Sequence, residues 1–248
     1  MHALFDKYAH RYDLHTPPDH YRHDHAFVLE VARTLGNPCR LLDVGCGTGV
    51  LLEKALKAGM LAHGIDVSRE MVRVAGERVG HAAVSHRPMQ QLDDAEHYDL
   101  IVALSWSLNY CSSREELVDV LRRMRRALRS GGRVMLQVAH AAHVDGTLME
   151  DRECGPAGER DDVTLLYRFA RICGDEPAMR AEYVYACKSA NELLYEEHVL
   201  RVADAELVEE CAREVGFGEV SVYDSWRRDA FRKAASPFVC AVKGSSPA

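Results

Sequence analysis

The stretch LLDVGCGTGV, residues 41–50, decides how the whole sequence is interpreted. A short apolar run that contains Asp43 leads into three glycines, Gly45, Gly47 and Gly49, which fall within five residues. Glycine costs backbone entropy on folding, so such a cluster indicates a backbone that turns sharply or that a ligand approaches closely. Open α/β sheets bind ligands at turns of this kind, where a strand ends and a helix begins. The stretch therefore predicts a ligand-binding turn after a first strand.

The composition is that of a globular protein with its own core. With 248 residues, of which 47% are hydrophobic, the chain is long enough for one large domain or for a domain with a cap. The formal net charge of −7 argues against a nucleic-acid surface. The eight cysteines form no CxxC pair, and no apolar run approaches the roughly 18 residues that a membrane span needs. These features, with an N-terminus too polar for a signal peptide, predict a cytoplasmic protein without membrane contact.

Strand-like and helix-like segments alternate along residues 40–139. This alternation predicts a parallel sheet with right-handed crossovers, and the β-rich runs that follow it predict an antiparallel meander. We therefore expect an α/β fold: a doubly wound, mostly parallel seven-stranded sheet with an inserted antiparallel β-meander. The expected organisation is a helical N-terminal lid (1–36), a ligand-binding core (37–146 and 203–244) and an inserted substrate platform (147–202).

Two acidic residues indicate the chemistry of the ligand. The dinucleotide fingerprint G-x-G-x-x-G/A fails here, because Val50 stands where the third small residue belongs. The pattern present is D-x-G-x-G-x-G, and Asp66 follows at the end of the second predicted strand. An acid at that place accepts hydrogen bonds from ribose hydroxyls, and Asp43 could hold an amino group through water. A nucleoside with an amino-acid tail and no pyrophosphate fits both acids.

At these residues the sequence resembles a known family. LLDVGCGTGVLLEKALKAGMLAHGIDVSREMVRVA (41–75) is similar to class I S-adenosylmethionine-dependent methyltransferases, and YDLIVALSWSLNYCSSREELVDVLRRMRRALRSGGRVML (98–136) continues the resemblance. Within the class, the chain is most similar to small-molecule enzymes such as amino-sugar N,N-dimethyltransferases and glycine N-methyltransferases. The resemblance implies a Rossmann-like methyltransferase fold, S-adenosyl-L-methionine as cofactor and S-adenosyl-L-homocysteine as product.

The resemblance also implies a set of cofactor-binding residues, with one departure from the family pattern. The predicted contacts are Asp43, Gly45, Cys46, Gly47, Gly49, Asp66, Val67, Met71, Met89, Gln90, Leu104 and Tyr12. The family often has an acid near the adenine amino group after the third strand, whereas this sequence has Arg87 and Pro88. Adenine contacts are then expected from Met89, Gln90 or backbone, and weakened cofactor binding is an open alternative.

Histidines and aromatic residues near the ends of strands four and five are candidates for the chemistry. We predict His140 as the general base because it follows the fifth strand directly, with His143 and Tyr110 as further catalytic candidates; a merely backbone-bonded His140 is the alternative. The predicted acceptor contacts are Tyr8, Trp106, Asn109, Arg168 and Tyr183, with Tyr185 and His198 also facing the pocket if the meander presents that face. The histidines of DHYRHDH fit no standard zinc spacing, so no metal is predicted.

These features predict methyl transfer to a nitrogen or oxygen of a small metabolite. The many arginines and alanines suggest a GC-rich bacterial genome and secondary metabolism, and relatives often pair through their lids, so a homodimer is also expected. One alternative is a cofactor-binding regulatory partner that has lost catalysis. Another is an RNA or protein methyltransferase, against which the acidic net charge stands.

Overall fold

The computed structural model describes residues 2–150, 162–172 and 177–244. Its helices are α1 (Tyr12–His15), α2 (Arg22–Arg33), α3 (Val50–Lys57), α4 (Arg69–Val79), α5 (Arg114–Ala127) and α6 (Ala205–Glu214). Its strands are β1 (Arg40–Val44), β2 (Leu61–Asp66), β3 (Val84–His86), β4 (Tyr98–Ala103), β5 (Leu128–Gln137), β6 (Asp145–Glu150), β7 (Val163–Ile172), β8 (Ala178–Cys187), β9 (Glu192–Leu200), β10 (Val220–Tyr223) and β11 (Phe238–Val242). The predicted alternation of strands and helices is confirmed.

A seven-stranded sheet organises the core in the order β10-β11-β5-β4-β1-β2-β3. The pairs of β1 with β2 and β4, of β2 with β3 and of β4 with β5 are parallel, and β11 runs opposite to the other six strands of this sheet. The strand order reverses between β1 and β4, and such a switch point opens a crevice at the carboxyl ends of the strands. The predicted doubly wound, mostly parallel sheet is therefore confirmed.

Amphipathic helices bury an apolar stripe on each face of this sheet. In α5, Leu117, Leu121 and Met124 recur at helical spacing and are fully buried in a core shared with α6. Ser113 begins this helix, because its side-chain oxygen accepts a hydrogen bond from the Glu116 backbone N–H at 3.3 Å. Helices α2 and α3 cover the opposite face with residues such as Phe27. The packed helices leave the carboxyl ends of the strands open.

A second, antiparallel sheet confirms the predicted meander and has the order β6-β7-β8-β9. The N-terminal segment, residues 2–18, packs on it, where Leu4 and Tyr8 share a cluster with buried residues of β7 and β8 such as Tyr185. The division into a lid, a core and a platform stays a prediction. Within the described ranges, no helix is long and apolar enough to cross a bilayer.

Candidate active site

A cleft of about 550 Å³ lies at the carboxyl ends of the central strands, beneath the N-terminal segment. Its size is within the usual range for small-molecule sites. The predicted cofactor residues that line it are Asp43, Gly45, Cys46, Gly47, Asp66, Val67, Met71, Met89, Gln90, Leu104 and Tyr12. Sequence positions 12–104 thus meet around one space, although their contact with a cofactor stays a prediction.

The glycine turn between β1 and α3 is built from backbone that only glycine adopts easily. Gly45, Gly47 and Gly49 have φ values of 74°, 52° and 79°, in the left-handed region. A side chain at Gly45 would lie 2.7 Å from the Cβ of Ser107, and one at Gly49 would lie 3.0 Å from the Cβ of Ala75. Gly49 begins α3 rather than lining the cleft, so its role here is close packing.

Two carboxylates face the cleft from neighbouring strand ends. Asp66, at the end of β2, accepts hydrogen bonds from the backbone N–H groups of Gly47 at 3.0 Å and Ser68 at 2.8 Å. Asp43, on β1, is only 4% exposed, and no side-chain hydrogen bond to its carboxylate is found among the described residues. Burial, with the nearby Asp66 charge, raises the pKa of Asp43 to about 7, and burial also raises the pKa of Asp66. A ligand cation at Asp43 would relieve this unfavourable charge.

The predicted adenine side of the cleft contains Arg87, but acidic neighbours neutralise it. Its guanidinium pairs with Asp93 at 3.0 Å and with Asp94 at 2.8 Å. The Gln90 side-chain amide donates to Glu116 Oε1 at 2.7 Å, so that amide is already engaged. Met71 and Met89 supply apolar surface beside these groups.

The N-terminal segment is fastened over the glycine turn by residues that sequence reasoning missed. Asp13 accepts a hydrogen bond from Thr48 Oγ1 at 2.7 Å and forms an ion pair with Arg78 of α4. Arg78 Nε also donates to the Thr48 carbonyl at 2.8 Å. The Ser68 hydroxyl donates to the Phe5 carbonyl at 2.5 Å. These partners are far apart in sequence and follow no local motif, so only the fold brings them together.

Two predicted catalytic histidines lie outside the cleft lining. His140 is 2% exposed, its Nδ1 accepts a hydrogen bond from the Ala205 backbone N–H at 3.2 Å, and its ring contacts Phe231. It follows β5 as expected, but its side chain turns toward the start of α6 instead of the cleft. His143 is exposed on a short 3-10 turn. The structure therefore gives no support to either histidine as the base.

The predicted acceptor contacts are also placed away from the cleft lining. Asn109 is buried and bonds to the backbone of Ala139 and Val202, while the Trp106 indole donates to Ser236 Oγ at 3.0 Å. Tyr8 stacks on Tyr185 beneath the N-terminal segment. Arg168 is exposed and pairs with Glu182 on the outer face of the second sheet, a choice of face that strand alternation left open.

Tyr110 is the predicted catalytic residue that does line the cleft. Its hydroxyl lies 2.6 Å from Nδ1 of His198, which is fully buried on β9 and packs against the predicted acceptor residue Tyr183. Burial raises the pKa of Tyr110 well above its ordinary value, so the hydroxyl keeps its proton at neutral pH. Phe5 lies edge-on to Tyr110, so this end of the cleft is aromatic.

Comparisons with known proteins agree with this geometry. Residues 41–132 match the family described as "Methyltransferase domain". This part of the chain is therefore similar to known methyltransferase domains. The chain is 31% identical over 111 residues to a dTDP-4-amino-2,3,4,6-tetradeoxy-D-glucose N,N-dimethyltransferase of Saccharopolyspora spinosa. This alignment covers 44% of this chain and 45% of that protein. The chain spans about half the length of the curated relatives it matches. The matched region is 60% of one relative and 45% of the N,N-dimethyltransferase.

Solved structures share the fold over nearly the whole chain. An S-adenosylmethionine-dependent methyltransferase from Clostridium acetobutylicum superimposes with a TM-score of 0.74 at 19% identity, covering 97% of this chain and 98% of that one. A sugar N-methyltransferase from Streptoalloteichus gives a TM-score of 0.70 at 22% identity, covering 89% and 87%. The Rossmann-like methyltransferase fold is therefore confirmed, and the predicted resemblance to small-molecule methyltransferases with it.

Proposed function

We propose that this protein transfers a methyl group from S-adenosyl-L-methionine to a nitrogen or oxygen of a small metabolite. The observation that carries the proposal is the pair of carboxylates at adjoining strand ends, Asp43 and Asp66, beside a glycine turn and facing one cleft. Asp66 suits ribose hydroxyls, and the buried, unpaired Asp43 suits the cationic amino-acid part of the same molecule. A methyltransferase domain over these residues supports the assignment.

The named relatives support a small acceptor. One relative methylates an amino sugar by its name, and a structural neighbour is described as a sugar N-methyltransferase. From these relatives we infer that the acceptor is a small polar metabolite, such as an amine-bearing sugar, and that the protein acts in bacterial secondary metabolism. Six cysteines in the described ranges are free thiols, which supports a cytoplasmic location.

The cofactor supplies an electrophilic methyl group when it is bound, so the chain has mainly to bind, orient and exclude water. The glycine turn and Asp66 hold the nucleoside end. The N-terminal segment, fastened through Asp13, shields the cleft from solvent. The Tyr110 hydroxyl, held by His198, orients the acceptor atom. An amine acceptor that arrives unprotonated needs no further base, which agrees with the placement of His140 outside the cleft.

Calorimetric titration of S-adenosyl-L-homocysteine tests the proposal. We expect micromolar binding by the wild type and binding weakened by about tenfold or more, or about 1.4 kcal/mol, in Asp66→Ala. Asp119→Ala is the matched control, because Asp119 is a half-exposed aspartate that pairs with Arg123 on α5. Absence of binding by the wild type would overturn the proposal and favour a partner or regulatory role. Methyl transfer from labelled cofactor into a metabolite extract then tests catalysis itself.

We also propose that the protein forms a homodimer. Leu193 and Tyr195, on β9, are 77% and 59% exposed, and a second copy would cover this apolar surface. Light scattering at micromolar concentration should give twice the chain mass of 27.8 kDa. A monomer mass would overturn this part without touching the cofactor assignment.

A further inference from the structure

His2 and two residues of β9 converge beside Tyr110, at the end of the cleft where the proposed function places the acceptor, here called the acceptor end. His2 Nδ1 lies 3.3 Å from Glu196 Oε1, and His198 Nε2 lies 3.6 Å from the same oxygen. All three ligand-type atoms lie within 4.8 Å of one another. His2 lines the cleft itself, and His198 contacts the cleft residue Tyr110. The cluster is therefore continuous with the space in which an acceptor would lie.

The two distances to Glu196 Oε1 match the ligand spacing of a tetrahedral metal site, and the two histidine nitrogens lie within 4.8 Å of each other. Zinc binds histidine nitrogen and carboxylate oxygen at about 2.0–2.2 Å, so the ligands of a tetrahedral ion lie roughly 3.4 Å apart. Two histidines and one glutamate also form the donor set of open zinc sites, in which the fourth position is left to water or substrate. The separations of 3.3 and 3.6 Å fall on either side of the expected value.

The polar groups of the cluster are incompletely satisfied as they stand. His198 is fully buried, and its Nε2, which points at Glu196, has no hydrogen-bond partner. Its other nitrogen, Nδ1, already bonds to the Tyr110 hydroxyl. A ring that gives one nitrogen to a metal and the other to a hydrogen-bond partner is the usual arrangement of a metal-bound histidine.

The partly buried charge of Glu196 also favours a bound cation. The Glu196 side chain is only 12% exposed, and its ion pairs within the described residues are both to histidines. The backbone N–H groups of Ala3 and Leu4 stabilise the carboxylate, at 2.6 and 3.0 Å. The Glu196 carboxylate thus supplies a negative charge that a bound cation would neutralise.

We propose that His2, Glu196 and His198 bind a divalent transition-metal ion of the zinc class at the acceptor end of the cleft. This proposal differs from the sequence analysis, which predicted no metal because it considered only the spacing of His20, His23 and His25. The role of the ion rests on the proposed function: its open position would take a hydroxyl, thiol or amine of the acceptor and lower the pKa of that group. The site itself is independent of that role.

Metal titration of the intact, S-adenosylmethionine-free chain, without a histidine tag, tests the site. We expect one equivalent of Zn²⁺ by competition with a chromophoric chelator, and Co²⁺ spectra without thiolate-to-metal charge transfer. His198→Asn keeps an amide near the Nδ1 position that can still bond to the Tyr110 hydroxyl, but it removes the Nε2 ligand. Glu196→Gln keeps an acceptor oxygen for one of the two N–H groups, those of Ala3 and Leu4, but removes the charge. His2→Ala removes the third ligand from the surface side, and each change should weaken binding by about 100-fold or more.

His10→Ala is the matched control, because His10 is an exposed histidine of the same N-terminal segment. It should bind Zn²⁺ as the wild type does. Wild-type protein that binds no Zn²⁺, or variants that bind it unchanged, would overturn the site. If His198→Asn fails to fold, His2→Ala and Glu196→Gln still decide the outcome. Titration with S-adenosyl-L-homocysteine in the same samples separates the two proposals, because loss of the metal should leave that affinity unchanged.

Discussion

At the scale of single residues, Asp43 combines burial with a neighbouring like charge. Burial and Asp66 raise its pKa to about 7, so in the free protein it is protonated below that pH and ionised above it. A cationic amino-acid group binds the ionised form better. We therefore predict that ionised Asp43, which lowers the stability of the ligand-free protein above pH 7, favours binding of the cofactor there.

The affinity for S-adenosyl-L-homocysteine should accordingly rise by about tenfold between pH 6 and pH 8. Asp43→Asn should bind more weakly at pH 8 and should lose most of this pH dependence. Calorimetry at the two pH values measures both. A wild-type affinity that falls as the pH rises would contradict the assignment of Asp43 to the cationic group.

His140 gives a second test at this scale. His140→Asn keeps an acceptor for the Ala205 N–H, so we expect turnover within about twofold of the wild type, against the loss of roughly 100-fold or more that removing a general base causes. His140→Ala leaves that buried N–H unpaired and should cost about 1–3 kcal/mol of unfolding free energy. Steady-state kinetics and chemical denaturation measure the two effects. A large loss of turnover in His140→Asn would restore the base role.

Residues with a local motif could be predicted from the sequence, and residues without one could not. Gly45, Gly47 and Asp66 follow from the spacing of a strand, a turn and the next strand, because those elements are adjacent in the sheet. The position of His140 after β5 was also predictable, but the rotation that turns its ring toward α6 depends on packing. Glu196 and His2 are 194 residues apart and meet only in the folded chain.

At the scale of elements, the parallel sheet could be predicted in full, but the orientation of the second sheet could not. Alternation along β7 and β8 defines two faces and does not say which one meets the N-terminal segment. The segment itself selects the face of Tyr185 by packing Leu4 and Tyr8 against it, which leaves Arg168 and Glu182 outside. A sequence pattern fixes periodicity, whereas contacts between distant elements fix orientation.

The contacts of Asp13 with Thr48 and Arg78, which hold the N-terminal segment over the glycine turn, predict an effect on the dissociation rate of the cofactor. Asp13→Asn removes the charge that pairs with Arg78, a partly exposed ion pair worth about 1 kcal/mol, so S-adenosyl-L-homocysteine should dissociate about fivefold faster. Asp19→Asn, an exposed aspartate of the linker between the segment and α2, is the control. Surface plasmon resonance gives the dissociation rates. Equal rates in wild type and Asp13→Asn would mean that the segment does not close over the cofactor.

At the scale of the whole molecule, ligand binding and folding stability are linked. S-adenosyl-L-homocysteine at about 100 times its dissociation constant adds about 2.7 kcal/mol to the free energy of unfolding, or roughly 5–10 °C in Tm for a chain of this size. Differential scanning fluorimetry should show this shift in the wild type and about half of it or less in Asp66→Ala at the same concentration, because tenfold weaker binding leaves about 1.4 kcal/mol. A shift of equal size in both would place the ligand away from Asp66.

The N-terminal segment contacts helix α4 of the core through Ser68 and the second sheet through Glu196 on β9. The predicted cofactor contacts come largely from residues 43–71, whereas the first residues of the chain line the Tyr110 end of the cleft and pack on the second sheet behind them. These two sets are encoded in separate stretches of the gene. Substitutions in the N-terminal residues can therefore change which acceptor fits without altering the residues predicted to bind the cofactor. By this route, one fold can give rise to enzymes that act on many different acceptors.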